Sequence, residues 1–269
     1  MSTIRPSTPA LSLASRHALV CGASAGIGRA AALALAAHGA RLTVLARSAT
    51  ALEELRQELL GAGAPEAHAL VADMDAPEEL ERRIRSWLDE RGAAQILVHN
   101  TGGPPGGRLL DAEAEALLVA FRRHVLSAQR LVQLLLPGMQ EAGYGRIVNV
   151  LSISVREPID HLGVSNIMRA AMAAWAKTLS RELPPGVTIN NVLPGYTATA
   201  RLAALARGTA ERTGQSVQDI ERDWREGVPE KRLGRPEEIA AAIAFLASPA
   251  ASFIRGVSLA VDGGRLRSL

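Results

Sequence analysis

The chain has 269 residues, of which 48% are hydrophobic, so it can bury a full core as one large α/β domain or two small ones. The formal net charge is only +3, the basic residues are scattered and aromatic residues make up 3% of the chain, which argues against a nucleic-acid-binding surface. Cys21 is the single cysteine, which excludes an intramolecular disulfide and a cysteine-based metal cluster.

The opening residues, MSTIRPSTPALSLAS, contain no long apolar run and no cleavage-site pattern, and no later segment reaches membrane-spanning length. We therefore expect a soluble cytoplasmic protein that does not contact membranes. Residues 1–14 are predicted to form an N-terminal tail, and residues 15–269 a single domain, because no linker interrupts the pattern that follows.

Short apolar runs alternate with Ala/Leu-rich stretches along this domain. The runs predict strands at 17–22, 41–46, 68–73, 95–100, 146–151, 187–193 and 257–262, and the stretches predict helices at 27–38, 48–61, 77–91, 111–136, 162–182 and 236–247. Nearly all-apolar strands are typical of a parallel sheet covered on both faces. The predicted fold class is a Rossmann-type doubly wound α/β domain of about seven strands, which binds ligands beyond the carboxyl ends of its strands.

Residues 199–227 interrupt this alternation with a polar, helix-prone insertion at the end of a predicted strand. A long excursion at that position is more often a functional lid than a disordered loop. We expect a substrate lid here, and its shape would determine which substrate the protein accepts.

A glycine turn, CGASAGIG, joins the first predicted strand to the first helix. Gly22, Gly26 and Gly28, with Ser24 and Ile27 between them, allow a tight turn and a close approach of the backbone, and the helix then presents free N–H groups to a pyrophosphate. A turn that merely packs strand against helix is the alternative. The strand–turn–helix context favours dinucleotide binding.

The end of the second strand reads VLARS, with Ala46 where an acidic residue would bind the ribose of NAD and with Arg47 next to it. Arg47 suits the 2′-phosphate of NADP, which favours NADP(H) over NAD(H). An ordinary solvated arginine is the alternative interpretation. Asp73, at the end of the third strand, is a candidate for the adenine end of the site or a plain turn residue.

Together these features resemble the short-chain dehydrogenase/reductase family over residues 15–264. HNTGG (99–103) is similar to the family's Asn-Asn-Ala-Gly segment, IVNVLS leads to a serine in its catalytic position, and PGYTAT is similar to its Pro-Gly turn beside the nicotinamide. GRPEEIA and VDGG (261–264) match as well. The resemblance implies cofactor contacts from Asn100, Gly102, Pro194, Gly195 and Thr199.

The catalytic positions depart from the family's usual Asn, Ser, Tyr and Lys. They fall on His124, Ser152, Ser165 and Arg169, and no Tyr-x-x-x-Lys occurs anywhere in the chain. A serine hydroxyl is a far weaker acid than a tyrosine, so loss of the tyrosine weakens general acid catalysis, which is typically worth about two to four orders of magnitude. Arg169 can still donate to the nicotinamide ribose, as the family's lysine does.

Three side chains are candidates for the missing acid. His124 has the residue type whose pKa suits proton transfer near neutrality, although a helix histidine bonded to a carbonyl is an equal alternative. His161, in the loop before Ser165, is a candidate or a solvated histidine, and Tyr196 is a candidate or a packed aromatic. A zinc site built from His99, His124 and His161 is not expected, because no metal-type spacing or carboxylate accompanies them.

The sequence therefore favours an NADP(H)-dependent oxidoreductase that transfers hydride to or from a small molecule, at a carbonyl or a conjugated C=C bond, with an altered catalytic set. A non-catalytic NAD(P)-binding protein, such as a sensor or partner subunit, is the alternative. A purely structural role is disfavoured by the intact glycine turn. The resemblance also implies a homotetramer or homodimer, with contacts through helices 111–136 and 162–182 and the C-terminal strand region.

Overall fold

The computed structural model describes residues 11–268, so residues 1–10 of the predicted tail lie outside the described part of the chain. Within that part the strands form one seven-stranded parallel sheet in the order β3-β2-β1-β4-β5-β6-β7. The strands are β1 (His17–Cys21), β2 (Arg41–Ala46), β3 (Ala67–Val71), β4 (Ile96–His99), β5 (Gly145–Val150), β6 (Val187–Pro194) and β7 (Ser258–Val261). The predicted fold class is confirmed, and each predicted strand agrees with the structure to within two residues at either end.

The helices cover both faces of this sheet. They are α1 (Gly26–Ala37), α2 (Ala49–Gly61), α3 (Pro77–Arg91), α4 (Ala114–Phe121), α5 (Ser127–Glu141), α6 (Gly163–Glu182), α7 (Ala200–Thr213), α8 (Val217–Glu226) and α9 (Pro236–Ala247). None of the helices between residues 11 and 268 is long and apolar enough to cross a membrane.

Alternate residues of each central strand enter two different cores. Ala18 and Val20 of β1 pack with α1, α2 and α9, whereas Leu19 and Cys21 pack with α3, α5 and α6. This alternation explains why the strands read as continuous apolar runs, since both faces of a parallel sheet are buried. Leu13 is also fully buried in the first core, so this residue of the predicted tail packs into the domain.

The single helix predicted over 111–136 is wrong at both ends. A short 3-10 turn, Leu109–Asp111, precedes α4, and α5 continues past Pro137 to Glu141. Pro137 is exposed, so its ring and the hydrogen bond that it removes lie on the solvent side, while continuation of the helix buries Met139 completely. Between α4 and α5 the helix widens into a π turn, Arg122–Leu126, which contains His124.

The strand order reverses beside β1, where β2 lies on one side and β4 on the other. Such a switch point opens a crevice at the carboxyl ends of the strands, because the connections leave toward opposite faces. The loops after β1, β2, β4, β5 and β6 converge on that crevice, and α7 and α8 form the predicted helical insertion above it.

Candidate active site

The glycine turn after β1 has the geometry of an anion-binding loop. Gly22 and Gly26 adopt positive φ values of 60° and 57°, and a Cβ on Gly28 would lie 2.2 Å from the Gly22 carbonyl oxygen. Asn100 Nδ2 donates to that same oxygen at 3.1 Å, which ties the end of β4 to the turn. Ala25 caps α1 without a side-chain hydrogen bond, so the first N–H groups of the helix are left for a ligand.

A cavity of about 750 Å³ runs from this turn across the carboxyl ends of the strands. Most of the site residues predicted from the sequence line it, namely Gly22, Ser24, Gly26, Ile27, Arg47, Asp73, Asn100, Gly102, Ser152, Ser165, Arg169, Pro194, Gly195 and Thr199. Gly28 lies beneath the turn, and His124 and His161 do not line the cavity. Its size and its free helix N-terminus fit a dinucleotide.

The end of the cavity beside β2 and β3 carries mixed charges. Arg47 is exposed at the mouth, where a 2′-phosphate would lie, and Ala46 leaves no carboxylate there. Asp73 accepts a hydrogen bond from the Asp75 backbone N–H at 3.0 Å, as a turn residue does. Asp75 is paired with Arg123, whose guanidinium holds the pKa of that carboxyl below its usual range.

At the opposite end, Ser152, Ser165 and Arg169 face the same space from β5 and from the first turns of α6. Ser152 Oγ accepts from the Ser154 N–H at 3.1 Å, which leaves its own proton free to donate. Arg169 Nη1 donates to the Val150 carbonyl at 2.8 Å and Nη2 to the Thr101 carbonyl at 3.4 Å. These two hydrogen bonds to backbone carbonyls fix the orientation of the Arg169 side chain.

The charge of Arg169 is buried, and no carboxylate of the described residues pairs with it. The residue is 8% exposed, and its Nε has no hydrogen-bond partner among residues 11–268. Desolvation, with nearby Arg201 as the second cause, lowers the pKa of Arg169 to about 10, so the guanidinium stays charged at neutral pH. A fixed positive charge next to two hydroxyl groups can stabilise an oxyanion.

The expectation of a neutral-range pKa for His124 is wrong. The ring is 1% exposed, its Nδ1 lies 2.5 Å from Thr101 Oγ1, and its Nε2 has no partner in the described chain. Burial first, then the charge of Arg169, lowers the pKa of His124 to about 2. The imidazole therefore stays neutral and supports Thr101, rather than carrying a proton to the cavity.

Of the other two candidate acids, Tyr196 lines the same cavity as the two serines, whereas His161 does not. His161 is exposed at a positive φ of 58° and lines a second, smaller cavity beneath α7 and α8. The Tyr196 ring stacks on Trp224 of α8 with 5.0 Å between centroids, and Arg265 Nη2 donates to its hydroxyl at 3.0 Å. Tyr196 therefore anchors the helical insertion, as the packed-aromatic alternative predicts.

Sequence reasoning missed three charged residues of the cavity wall, Asp75, Arg123 and Arg201. Arg201 lines the cavity from the first turn of α7, and its Nη2 donates to the Pro104 carbonyl at 2.6 Å. The sequence contains a signal for Arg201, because it follows the N-cap residue Thr199 in the first helical turn. A positive charge at that position opposes the helix dipole.

Comparison with known proteins places these features in a family. A family model described as enoyl-(acyl carrier protein) reductase matches residues 22–265. The chain is 30% identical over 260 residues to the NADPH-dependent reductase BacG of Bacillus subtilis, which covers 96% of this chain and 100% of the relative. It is 34% identical over 257 residues to the 3-oxoacyl-[acyl-carrier-protein] reductase FabG of Vibrio cholerae, covering 94% and 98% of the two chains.

Solved structures agree with this placement. L-Sorbose reductase from Gluconobacter frateurii, in complex with NADPH and L-sorbose, superimposes with a TM-score of 0.90 at 28% identity, covering 97% of this chain and 100% of that one. YwfH, an NADPH-dependent reductase involved in bacilysin biosynthesis, gives a TM-score of 0.88 at 28% identity, with 94% and 99% covered. With its glycine turn, its switch-point cavity and its matches to these relatives, this chain belongs to the short-chain dehydrogenase/reductase family of NAD(P)-dependent oxidoreductases.

Proposed function

We propose that the protein is an NADPH-dependent reductase that acts on a carbonyl or conjugated C=C bond with Ser152, Ser165 and Arg169 as its catalytic set. The single observation that carries the proposal is their common exposure to the end of the cofactor-sized cavity. The exposure of Arg47 at the cavity mouth, where it can pair with a 2′-phosphate, and the NADPH-dependence named for BacG and YwfH support NADPH over NADH.

The cofactor would lie with its pyrophosphate at the N-terminus of α1, its adenosine ribose beside Arg47 and its nicotinamide ribose beside Arg169. When bound, NADPH supplies a hydride, that is, both electrons of the reduction, to the electrophilic carbon of the substrate. Every other task falls to the protein and to water.

The protein's part is to stabilise the negative charge that develops on the substrate oxygen. The Ser152 and Ser165 hydroxyls can donate hydrogen bonds to that oxygen, and the buried Arg169 guanidinium adds a positive field in a poorly hydrated site. The proton that completes the reduction comes from water, since Tyr196, the tyrosine that lines the cavity, is stacked on Trp224 with its hydroxyl bonded to Arg265, and neither His124 nor His161 lines the cavity.

This arrangement favours a conjugated C=C bond over an isolated ketone. Hydride addition to an unsaturated carbonyl compound yields an enolate, which is a weaker base than the alkoxide formed from a simple ketone. An enolate can therefore be stabilised by hydrogen bonds and protonated at carbon by water, without a strong acid at the oxygen.

The test is NADPH oxidation with a panel of ketones and α,β-unsaturated carbonyl compounds, with the products identified. Ser152→Ala and Ser165→Ala are expected to lower kcat by roughly ten- to a thousandfold, as loss of an oxyanion donor does. Ser154→Ala is the matched control, because Ser154 is buried in the same turn but does not line the cavity. Equal activity in all three variants would refute the assignment.

We further propose that the protein acts as a cytoplasmic homo-oligomer. Apolar side chains stay exposed on the faces that the family resemblance predicts for subunit contacts, with Leu110 86% exposed before α4 and Phe253 fully exposed before β7. Exposed apolar patches of this kind mark interaction surfaces. Light scattering of the purified protein is expected to give a dimer or tetramer, and a monomer would contradict the proposal.

A further inference from the structure

The reactive end of the cavity is positively charged with no acid to balance it. The acidic side chains of the cavity wall, Asp73 and Asp75, lie at the adenosine end, and Asp75 is already paired with Arg123. Arg169 and Arg201 line the other end. Within residues 11–268, no carboxylate is paired with either guanidinium, and their hydrogen bonds go to backbone carbonyls.

The two guanidinium groups lie close together. The position that a Cβ on Gly103 would occupy is 3.4 Å from Arg201 Nη2 and 3.8 Å from Arg169 Nη2, so both face the same glycine. Desolvation lowers the pKa of both guanidinium groups, and a neighbouring positive charge lowers it further, that of Arg201 for Arg169 and that of Arg123 for Arg201. An anion between them would relieve this repulsion.

NADPH does not account for both charges. Arg169, in the position of the family's lysine, would meet the neutral hydroxyls of the nicotinamide ribose, and the pyrophosphate already has the N-terminus of α1. Arg201 stands on the lid helix α7, in the first turn, where the helix dipole disfavours a cation. Its side chain is accessible, as a group that receives an incoming ligand must be.

We propose that the substrate is an oxo acid, with or without a C=C bond conjugated to its ketone, and that Arg201 binds its carboxylate while Arg169 faces the reacting ketone oxygen. This inference rests on the proposed function, because it assigns the substrate class of the same site. A guanidinium binds a carboxylate through two parallel hydrogen bonds, which fixes the orientation of the substrate as well as its affinity. Arg201 is thus the residue that determines specificity for an acid.

The experiment measures binding to the protein saturated with NADP+, so that turnover is not required. The probes are 2-oxo acids, with and without a C=C bond conjugated to the ketone, each paired with its methyl ester, and binding is followed by calorimetry. We expect the acid to bind at least about tenfold more tightly than its ester, and Arg201→Met to remove that preference, since hydrogen bonds to charged groups contribute this much. Arg201→Lys should retain part of it.

Arg207→Met is the matched control, because Arg207 is exposed on the same helix but does not line the cavity. It is expected to leave both acid and NADPH binding unchanged. Equal binding of acid and ester to the natural protein would overturn the proposal. So would a loss of NADPH affinity in Arg201→Met as large as the loss of acid affinity, which would assign Arg201 to the cofactor.

The two proposals can fail separately. Acid binding that depends on Arg201, without reduction of any acid, would contradict the reductase function but uphold the carboxylate site. Reduction of neutral ketones or enones, with no preference for acids, would uphold the reductase function but contradict the carboxylate site.

Discussion

Three buried histidines make the stability of this protein depend steeply on mild acid. Burial lowers the pKa of His124 to about 2, of His99 to about 3 and of His17 to about 4. In the unfolded chain each has the ordinary histidine pKa of about 6.5. Below that pH the unfolded chain binds three protons that the folded chain does not, so the free energy of unfolding falls as the pH falls.

The size of the effect follows from these values. Between pH 7 and pH 5, each histidine is expected to remove about 2 kcal/mol from the free energy of unfolding, and the three together about 6 kcal/mol. Typical domains are stable by only about 5 to 15 kcal/mol, so the natural protein should approach unfolding near pH 5.

The variant His124→Asn isolates the contribution of His124 to this pH dependence of stability. Urea unfolding at pH 7 and pH 5, followed by circular dichroism, is expected to show a drop of about 4 kcal/mol in this variant instead of about 6. His161→Asn, at an exposed loop histidine, serves as the control and should retain the full drop. An identical drop in His124→Asn and the natural protein would refute the conclusion that His124 is held neutral.

Three further predictions concern the cofactor turn, the 2′-phosphate and the lid. Gly28→Ala brings a Cβ to 2.2 Å from the Gly22 carbonyl oxygen and should destabilise the fold by about 1 to 3 kcal/mol. The control Gly208→Ala lies in a helix with open space around it and should stabilise the fold by up to about 1 kcal/mol. Equal shifts of the melting temperature in the two variants would contradict this prediction. Arg47→Ser should weaken NADPH binding by about tenfold or more and leave NADH binding unchanged, as measured by fluorescence titration; an equal loss for both would mean that Arg47 does not meet the 2′-phosphate. Tyr196→Phe removes only the hydroxyl that contacts Arg265, so kcat should fall less than about threefold, while a hundredfold loss would identify Tyr196 as the proton donor after all.

The cofactor half could be predicted from the sequence because its determinants are local. Gly22, Gly26 and Gly28 follow one strand directly, and Arg47 follows another, so each reaches the sheet edge by virtue of its place in the chain. Strand ends in a parallel sheet meet at one edge whatever the details of packing.

The proton-transfer half could not be predicted in the same way. Whether His124 lines the cavity depends on the π turn that contains it and on its hydrogen bond with Thr101. The helical periodicity of the sequence predicts neither the π turn nor this hydrogen bond. The fold of the insertion also places Arg201, which the sequence analysis did not single out, in the wall of the cavity. It places the predicted candidate His161 in the wall of a neighbouring cavity instead. Tertiary packing alone decides those positions.

The central claim is that this chain reduces its substrate with Ser165 and Arg169 in place of a tyrosine and a lysine. The most direct measurement compares NADPH oxidation by the natural protein and by Ser165→Tyr/Arg169→Lys, on the same panel of oxo acids and unsaturated oxo acids, with NADPH binding measured for both. We predict turnover of an unsaturated oxo acid by the natural protein. Tight NADPH binding with no turnover by the natural protein, together with activity gained by the double variant, would contradict the claim and identify a non-catalytic cofactor-binding protein.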